Sequence, residues 1–389
     1  MLAERIADIQ AALAEAELDG WFFAVFQGND PISLDLLGLS GKALITRRCY
    51  YLVPRQGAPR KLLSTLEPAM LDHLPGEKSL YTTWQQHRQQ LELLVRDCKR
   101  LAAQYSPKNE LPTCSRLDAG TAELLAASGA TLVTSADLAQ RFAAVWSPEQ
   151  LETHRRANVH LHRIAKEAFA HVAERLRAGE PVDERGVQQW ILAAMDQVGL
   201  HTEAPPIVGV DAHAADPHFE PTPEVSAPIE RGQLLLIDLW AKEKAAGSIY
   251  ADITWCGVTA PAPTDRQQEI WSIAAAARDA GIDLVRSRWP GTPIRGYEVD
   301  DAVREVIRRA GYGDYFIHRT GHGIGVEEHE DPYIVDGNAT PLEPGHAFSI
   351  EPGIYIPGTW GARLEDIVVA SSSGPDSLNQ VDHGLAVIG

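Results

Sequence analysis

A stretch that occurs twice constrains this chain more than any other feature of its sequence. Residues 228–252 read PIERGQLLLIDLWAKEKAAGSIYAD, and residues 341–365 read PLEPGHAFSIEPGIYIPGTWGARLE. Both open Pro-(Ile or Leu)-Glu-x-Gly, run through apolar residues to a carboxylate, and reach a second carboxylate after the same interval. Pro228, Gly232, Asp238 and Asp252 each stand 113 residues before Pro341, Gly345, Glu351 and Glu365. A looser match precedes each copy, His218-Phe219-Glu220-Pro221 in the first and His329-Glu330-Asp331-Pro332 in the second. The period is far too long for a solenoid, so the expectation is a duplicated half-domain whose two halves face each other.

The repeated carboxylates carry chemistry. Residues 234–239, 249–258, 347–350 and 364–370 are apolar and β-branched enough to be strands. Paired as hairpins, they would turn near residue 245 in AAGS and at Pro357-Gly358. Asp238 would then face Asp252, and Glu351 would face Glu365, with Cβ atoms on the order of 5 Å apart. Any one of these acids alone reads as a solvent-facing strand end. Two pairs at one spacing, each behind an apolar run, read instead as buried like charges. Those need a counter-charge, and divalent cations are the usual one.

Histidines cluster in the second half, where residues 318–330 read HRTGHGIGVEEHE. On a helix His318, His322 and His329 would share a face, as in a zinc-binding H-E-x-x-H segment. Gly321, Gly323 and Gly325 oppose a helix by roughly 1 kcal/mol each. As a strand, His318, Thr320 and His322 share a face, and the glycines admit close approach of backbone or ligand. His329 lies beyond a break.

Upstream, Ser147-Pro148-Glu149-Gln150 has a capping hydroxyl, a proline at the first helical position and a capping-box glutamine, and a helical pattern follows from Leu151 to about Leu176. A new unit starts there, which divides the chain into residues 1–146 and 147–389. The first segment mixes helical patterns (around 2–17, 84–104 and 135–144) with β-rich runs at 42–46, 50–53 and 131–134, as in a small α/β domain. It shows no catalytic constellation, and His73, His87 and Trp84 read as surface or core residues.

A length of 389 residues with 44% hydrophobic and 23% charged content suits two globular domains. The net charge of −18 argues against nucleic acid, whose binding rests on Lys and Arg; solubility is the plain reading of the acidity, with metal-ligand carboxylates as a part of it. Cys49, Cys98, Cys114 and Cys256 are scattered, and suggest neither a disulfide framework nor a thiolate zinc site. Leu2, Ile6, Ile9 and Leu13 alternate with Glu4, Arg5 and Asp8 at helical spacing, unlike the apolar block of a signal peptide. No run approaches the eighteen or so residues of a membrane span. The expectation is a cytoplasmic protein with neither nucleic-acid nor membrane partners.

Six motifs occur in order: PHF at 217–219, LLLIDLW around Asp238, YADIT at 250–254, HRTGHGIG at 318–325, SIEPGIY at 349–355 and GARLED at 361–366. In this order they resemble the pita-bread metallopeptidases, which include methionine aminopeptidase, aminopeptidase P and prolidase. The resemblance is strong over 150–389 and faint over 1–145. It implies an α+β fold, with a C-terminal pita-bread catalytic domain built on an internal pseudo-twofold repeat and a smaller α/β creatinase-like N-terminal domain before it.

The same resemblance implies that Asp238, Asp252, His322, Glu351 and Glu365 bind two divalent metals. An oxygen-rich set with one imidazole puts manganese first, with cobalt or zinc as alternatives. Two metals about 3.5–4 Å apart can share a hydroxide and polarise a scissile carbonyl, with Glu351 as the proton shuttle. His218 and His329 would contact substrate. His318 would line a proline pocket or be a hydrogen-bonded core histidine, and Arg363 would lie near the substrate carboxylate or pair with neighbouring acids.

An Xaa-Pro bond is a tertiary amide with no N–H and a locked φ, so it needs a dedicated pocket. HRTGHGIGVEEHEDPYI is closer to bacterial Xaa-Pro dipeptidases than to aminopeptidases P, which act on longer peptides. A metal-free creatinase-like hydrolase and a non-enzymatic pita-bread binding module share the fold but lack the full ligand set. Departures from the family bear on substrate length: Trp255 follows Thr254 where many relatives have arginine, and the His218–Asp238 and Asp238–Asp252 intervals are longer than in several of them. The resemblance also implies a homodimer, the N-terminal domain bordering the partner's active site.

Overall fold

A computed structural model of the chain describes residues 4–40, 45–109, 111–371, 374–378 and 384–388. The chain forms two units, Met1–Ala143 and Ala144–Gly389.

In the first unit, strands β1 (Gly20–Val25), β2 (Cys49–Pro54), β3 (Arg60–Ser64), β4 (Glu77–Tyr81), β5 (Arg100–Ala103) and β6 (Thr131–Thr134) form one mixed sheet in the order β4-β3-β2-β1-β5-β6. Its two faces are covered by helices, α1 (Ile6–Glu15), α2 (Pro31–Leu36) and α5 (Ala136–Ala143) on one side, α3 (Trp84–Val95) and α4 (Ala119–Ala127) on the other. The helix expected over 84–104 stops at Val95. Arg100–Ala103 is instead a strand, because Asp19 accepts from the amides of Lys99 and Arg100 at 2.9 Å each and sets Leu101-Ala102-Ala103 beside β1. Of the β-rich run at 42–46, residues 42–44 lie outside the described residues and 45–46 are not strand. His73 bonds the Leu37 carbonyl at 2.7 Å and His87 meets the Tyr50 hydroxyl at 2.8 Å, while Trp84 is 64% exposed.

The second unit begins with helix α6 (Pro148–Ala178), capped by a reciprocal Ser147/Gln150 box and ended by Gly179 in the left-handed region at φ 67. Helix α7 (Glu184–Gln197) follows, then strands β7 (Leu200–His201), β8 (Ile207–Val210), β9 (Leu234–Glu243) and β10 (Ala251–Val258). The buried face of α6, including Leu161, Ile164, Ala168 and Val172, packs on Leu235, Ile237 and Leu239 of β9 and on Ile253 and Trp255 of β10. Alternation along a strand leaves Leu234, Leu236, Asp238 and Trp240 for the opposite face. That face shares a core with helices α8 (Asp265–Arg288) and α9 (Gly296–Arg309). Trp255 therefore sits on the helix side of β10, away from Asp252 and Thr254, with its ring 5.4 Å from that of His162. The departure at this position packs into that core and also borders a cavity lined by Thr254 and Glu365.

Beyond α9 come strands β11 (Gly321–Gly323), β12 (Glu330–Ile334), β13 (Ala347–Ile350), β14 (Gly353–Ile356), β15 (Trp360–Arg363), β16 (Asp366–Ser371), β17 (Gly374–Ser377) and β18 (Ala386–Val387). They give a sheet of order β12-β11-β13-β16-β17 and the hairpin β14–β15, while β18 joins β10 in the other sheet. Asp183, just before α7, bridges Pro228, and Arg295, just before α9, bridges Pro341, the opening proline of each copy of the repeated stretch. Among the described residues no helix is long and apolar enough to cross a membrane.

His154 on α6 is fully buried, with Nδ1 2.7 Å from the Tyr250 carbonyl, and burial pushes its pKa down to about 4. A histidine in the unfolded chain titrates near ~6.5, so between these values the unfolded chain binds more protons and stability falls as pH drops. A His154→Asn variant should therefore lose about 3 kcal/mol less than the parent between roughly pH 6.5 and 4, which denaturant titrations at the two pH values measure.

Candidate metal centre

On β9 and β10 the two aspartates stand on one face, but not opposite each other. Asp238 faces Thr254, and Asp252 faces Trp240. The turn is centred one residue later than the midpoint of the acids, and each residue of shift moves facing partners by two. The two carboxylates are therefore diagonal neighbours, a spacing of about 7–8 Å between strands, rather than a directly facing pair. In the second copy the facing expectation holds. The β13–β16 and β14–β15 ladders share one register, interrupted at Glu351 and Glu365, which occupy facing positions in the gap.

His322 enters from β11 with 2% exposure, and the four acids are buried or nearly so. One ligand atom each from Asp252, His322 and Glu365 lie within 4.8 Å of one another. Asp238 accepts from the Thr254 hydroxyl at 2.9 Å, and Glu365 Oε2 lies 3.0 Å from the same hydroxyl. One hydroxyl proton cannot serve both. Glu365 Oε1 is buried with no hydrogen-bond partner among the described residues. Burial, then the other acids, pushes the pKa of Asp252 and Glu365 well up; burial also raises that of Asp238, against the pull of Arg363.

The imidazole is held from behind. His322 Nδ1 lies 3.0 Å from the Gly323 carbonyl, so it carries the proton and leaves a lone pair on Nε2, as in metal-ligating histidines. That Nε2 faces Glu351 Oε1 at 3.1 Å. Two acceptors at this distance repel unless a positive charge lies between them. Four acids of which Arg363 ion-pairs with one, one orphaned carboxylate oxygen, and an imidazole with its free lone pair turned to a carboxylate fit divalent cations well.

The remaining expected residues divide. Arg363 is buried and ion-paired with Asp238, and also donates to the Tyr355 hydroxyl at 3.0 Å, the Thr254 hydroxyl at 3.2 Å and the Pro217 carbonyl at 3.3 Å. It takes the second of its two expected places, among neighbouring acids. His318 likewise has the bonds of a core histidine: Nδ1 donates to the Arg319 carbonyl at 2.7 Å, and Nε2 accepts from the Tyr355 hydroxyl at 2.8 Å. Burial pushes its pKa down to about 4, so it is neutral. His329 packs edge-on to His322 with ring centres 3.9 Å apart, which keeps it at the site while 43% of its side chain is exposed. His218 lies on an exposed loop, its amide bonded to Asp216 at 3.0 Å, within electrostatic reach of His329.

Three supporting residues escape a search for ligands. Thr254 and Ser349 lie two positions from Asp252 and Glu351, so strand alternation puts each beside its acid; Ser349 Oγ accepts from the His322 amide at 3.0 Å and donates to Glu351 at 3.1 Å. Tyr355 has no such signal and is reached only through the turn at 357–359. The stretch 324–326 is anchored by Trp146, whose indole donates to the Ile324 carbonyl at 2.8 Å, and by Lys242 on the Val326 carbonyl at 2.5 Å.

The glycines around His322 are explained by close backbone approach. A Cβ on Gly321 would run into the Ser349 carbonyl, and one on Gly323 into the Asp331–Pro332 backbone. Gly321→Ala should cost about 1–3 kcal/mol by overpacking, read as a lower denaturation midpoint, because both colliding groups are main chain in one sheet.

The model of metallopeptidase family M24 matches residues 159–372, more than half of the chain. A probable dipeptidase PepE of Mycobacterium bovis is 35% identical over 262 residues, 67% of this chain and 65% of that protein. An Xaa-Pro dipeptidase of Lactobacillus helveticus is 38% identical over 217 residues, 56% of this chain and 54% of that protein. The match thus spans just under two thirds of the first relative's length and about half of the second's. The crystal structure of dipeptidase PepE from Mycobacterium ulcerans superposes with a TM-score of 0.78 at 29% identity, over 100% of this chain and 98% of that one. Since the matched segment contains every acid and histidine of the cluster, on the fold those relatives share, the chain belongs to metallopeptidase family M24.

Proposed function

We propose that the protein hydrolyses the peptide bond that precedes proline, chiefly in dipeptides, with two divalent cations held by Asp238, Asp252, His322, Glu351 and Glu365. The observation that carries this reading is the His322 Nε2 lone pair turned toward Glu351 beside Asp252 and Glu365. Bound there, the cations would polarise the scissile carbonyl and make water nucleophilic at neutral pH. Five donors of which only one is nitrogen suit manganese better than a tight structural zinc.

The chain's own residues supply the rest. Glu351 lies between the Ser349 hydroxyl and the His322 ring, placed to take a proton from the attacking water and pass it to the leaving nitrogen. That transfer matters for Xaa-Pro, whose amide nitrogen carries no hydrogen of its own. His329 and His218 would contact the substrate and stabilise the charge that develops on its carbonyl. The names of the relatives support the substrate class, Xaa-Pro dipeptidase for one and dipeptidase for two.

The same reading takes residues 1–146 as a creatinase-like domain and 147–389 as the catalytic one, in a homodimer. Four buried cysteines that form no disulfide among the described residues suit the reducing cytoplasm. The test is metal analysis combined with assay in Mn²⁺ on Ala-Pro and on Ala-Pro-Gly. Two metals per chain and faster cleavage of Ala-Pro are expected. Preference for the tripeptide moves the assignment to an aminopeptidase acting before proline at position two, and metal binding without cleavage of either peptide rejects the peptidase reading.

A further inference from the structure

Selecting a dipeptide over a longer peptide means recognising a carboxylate one residue beyond the scissile bond, and that anion calls for a cation with no acid of its own. Most cations around the metal centre are already matched. Arg363 is buried against Asp238, and Arg304 is held by Asp300 at 2.6 Å while it donates to the carbonyls of Phe316 and His318. Lys242 bonds the Val326 carbonyl and lies over the Tyr250 ring.

Arg319 differs from all of these. It is half-buried and lies over the Tyr333 ring with its guanidinium carbon 4.5 Å from the centroid, and one Nη donates to His329 Nδ1 at 3.3 Å. It makes no ion pair among the described residues. Glu328, the acid next to His329 in sequence, lies 3.3 Å from His329 Nε2 and within electrostatic reach of Arg319, without forming an ion pair with it. Since the His329 ring packs on that of His322, Arg319 stands one imidazole away from a metal ligand.

We propose that Arg319 binds the C-terminal carboxylate of a dipeptide substrate and thereby sets substrate length, an inference that rests on the peptidase reading above. A guanidinium presents parallel N–H donors that match a carboxylate, and the bond to His329 uses only one of them. Stacking on Tyr333 fixes the plane before substrate arrives, so little side-chain freedom is lost on binding. Extending the peptide past proline replaces the anion with a neutral amide and removes the charge match. The role expected for Arg363 thus passes to an arginine that no acid holds in an ion pair among the described residues.

The test compares kcat/KM on Ala-Pro and on its C-terminal amide for the Mn²⁺-loaded wild type, Arg319→Gln and Arg319→Lys. Loss of a charged hydrogen-bonded contact corresponds to roughly 10- to 100-fold. Arg319→Gln should lose that factor on Ala-Pro, mostly in KM, and change little on the amide; Arg319→Lys should recover part of it. Equal losses on acid and amide, or no loss on Ala-Pro, overturn the proposal. Calorimetric titration with L-proline and L-prolinamide reads the same contact without turnover. Arg319→Gln should weaken proline alone, and equal proline binding by wild type and variant, or none by the wild type, also overturns it. A wild type that binds proline through Arg319 but cleaves no Xaa-Pro bond would instead reject the peptidase reading.

Discussion

Converting Asp252 to Asn together with Glu365 to Gln should lower kcat/KM by about 1000-fold or more, since metal assistance supplies several kcal/mol of barrier reduction at about 1.4 kcal/mol per tenfold. Metal analysis of the same variant should find fewer than two ions per chain. In EDTA the sign of its effect on stability reverses. Asp252 and Glu365 are buried, Glu365 raises the pKa of Asp252 while Glu351 and Asp238 raise that of Glu365, and Arg363 is turned to Asp238. Replacing two buried acids, each disfavoured by burial and by neighbouring acids, while keeping their shape should stabilise the metal-free protein by on the order of 2 kcal/mol. With Mn²⁺ present the order inverts, because the wild type gains more free energy from cation binding than the variant. Denaturant titrations of both proteins with and without metal give the four values. Full activity with two bound metals would reject the proposed chemistry, and a variant less stable than wild type in EDTA would show that the acids are not in conflict.

How far the sequence reveals this centre depends on which interactions set each residue. The repeated carboxylates and His322 can be read because strand alternation and a fixed spacing act locally, and β9, β10 and β13 lie within a few residues of the expected strands. The Asp238–Asp252 register cannot be read at that precision. It depends on where the loop around Gly247 turns, and a shift of one residue there converts facing partners into diagonal ones. Asp19 shows the same limit in the first unit, since its bonds to the amides of residues 99 and 100 override a helical pattern that continues past Val95. Arg363 was legible as important but not as to purpose. Its commitment to Asp238 joins residues 125 positions apart, and no local pattern carries that information.

Arg363→Met should be the most damaging of the single changes in the metal-free protein, costing about 3–5 kcal/mol, because it leaves Asp238 as a buried charge without its partner. The same change strips hydrogen bonds from Tyr355, Thr254 and the Pro217 carbonyl. Tyr355 in turn holds His318, so the damage extends to the segment that precedes β11 and His322. Arg363→Lys should recover only part, since an ammonium supplies charge but not the fork that reaches four groups at once. Adding Asp238→Asn to Arg363→Met should return much of the loss, a coupling that a double-mutant cycle in EDTA measures. Turnover separates this role from that of Arg319. If Arg363 braces Asp238 instead of reading the substrate's carboxylate, Arg363→Lys should lower kcat/KM on Ala-Pro and on its amide alike. A loss confined to the free acid would show that Arg363 releases Asp238 when substrate binds, and would return the carboxylate to it.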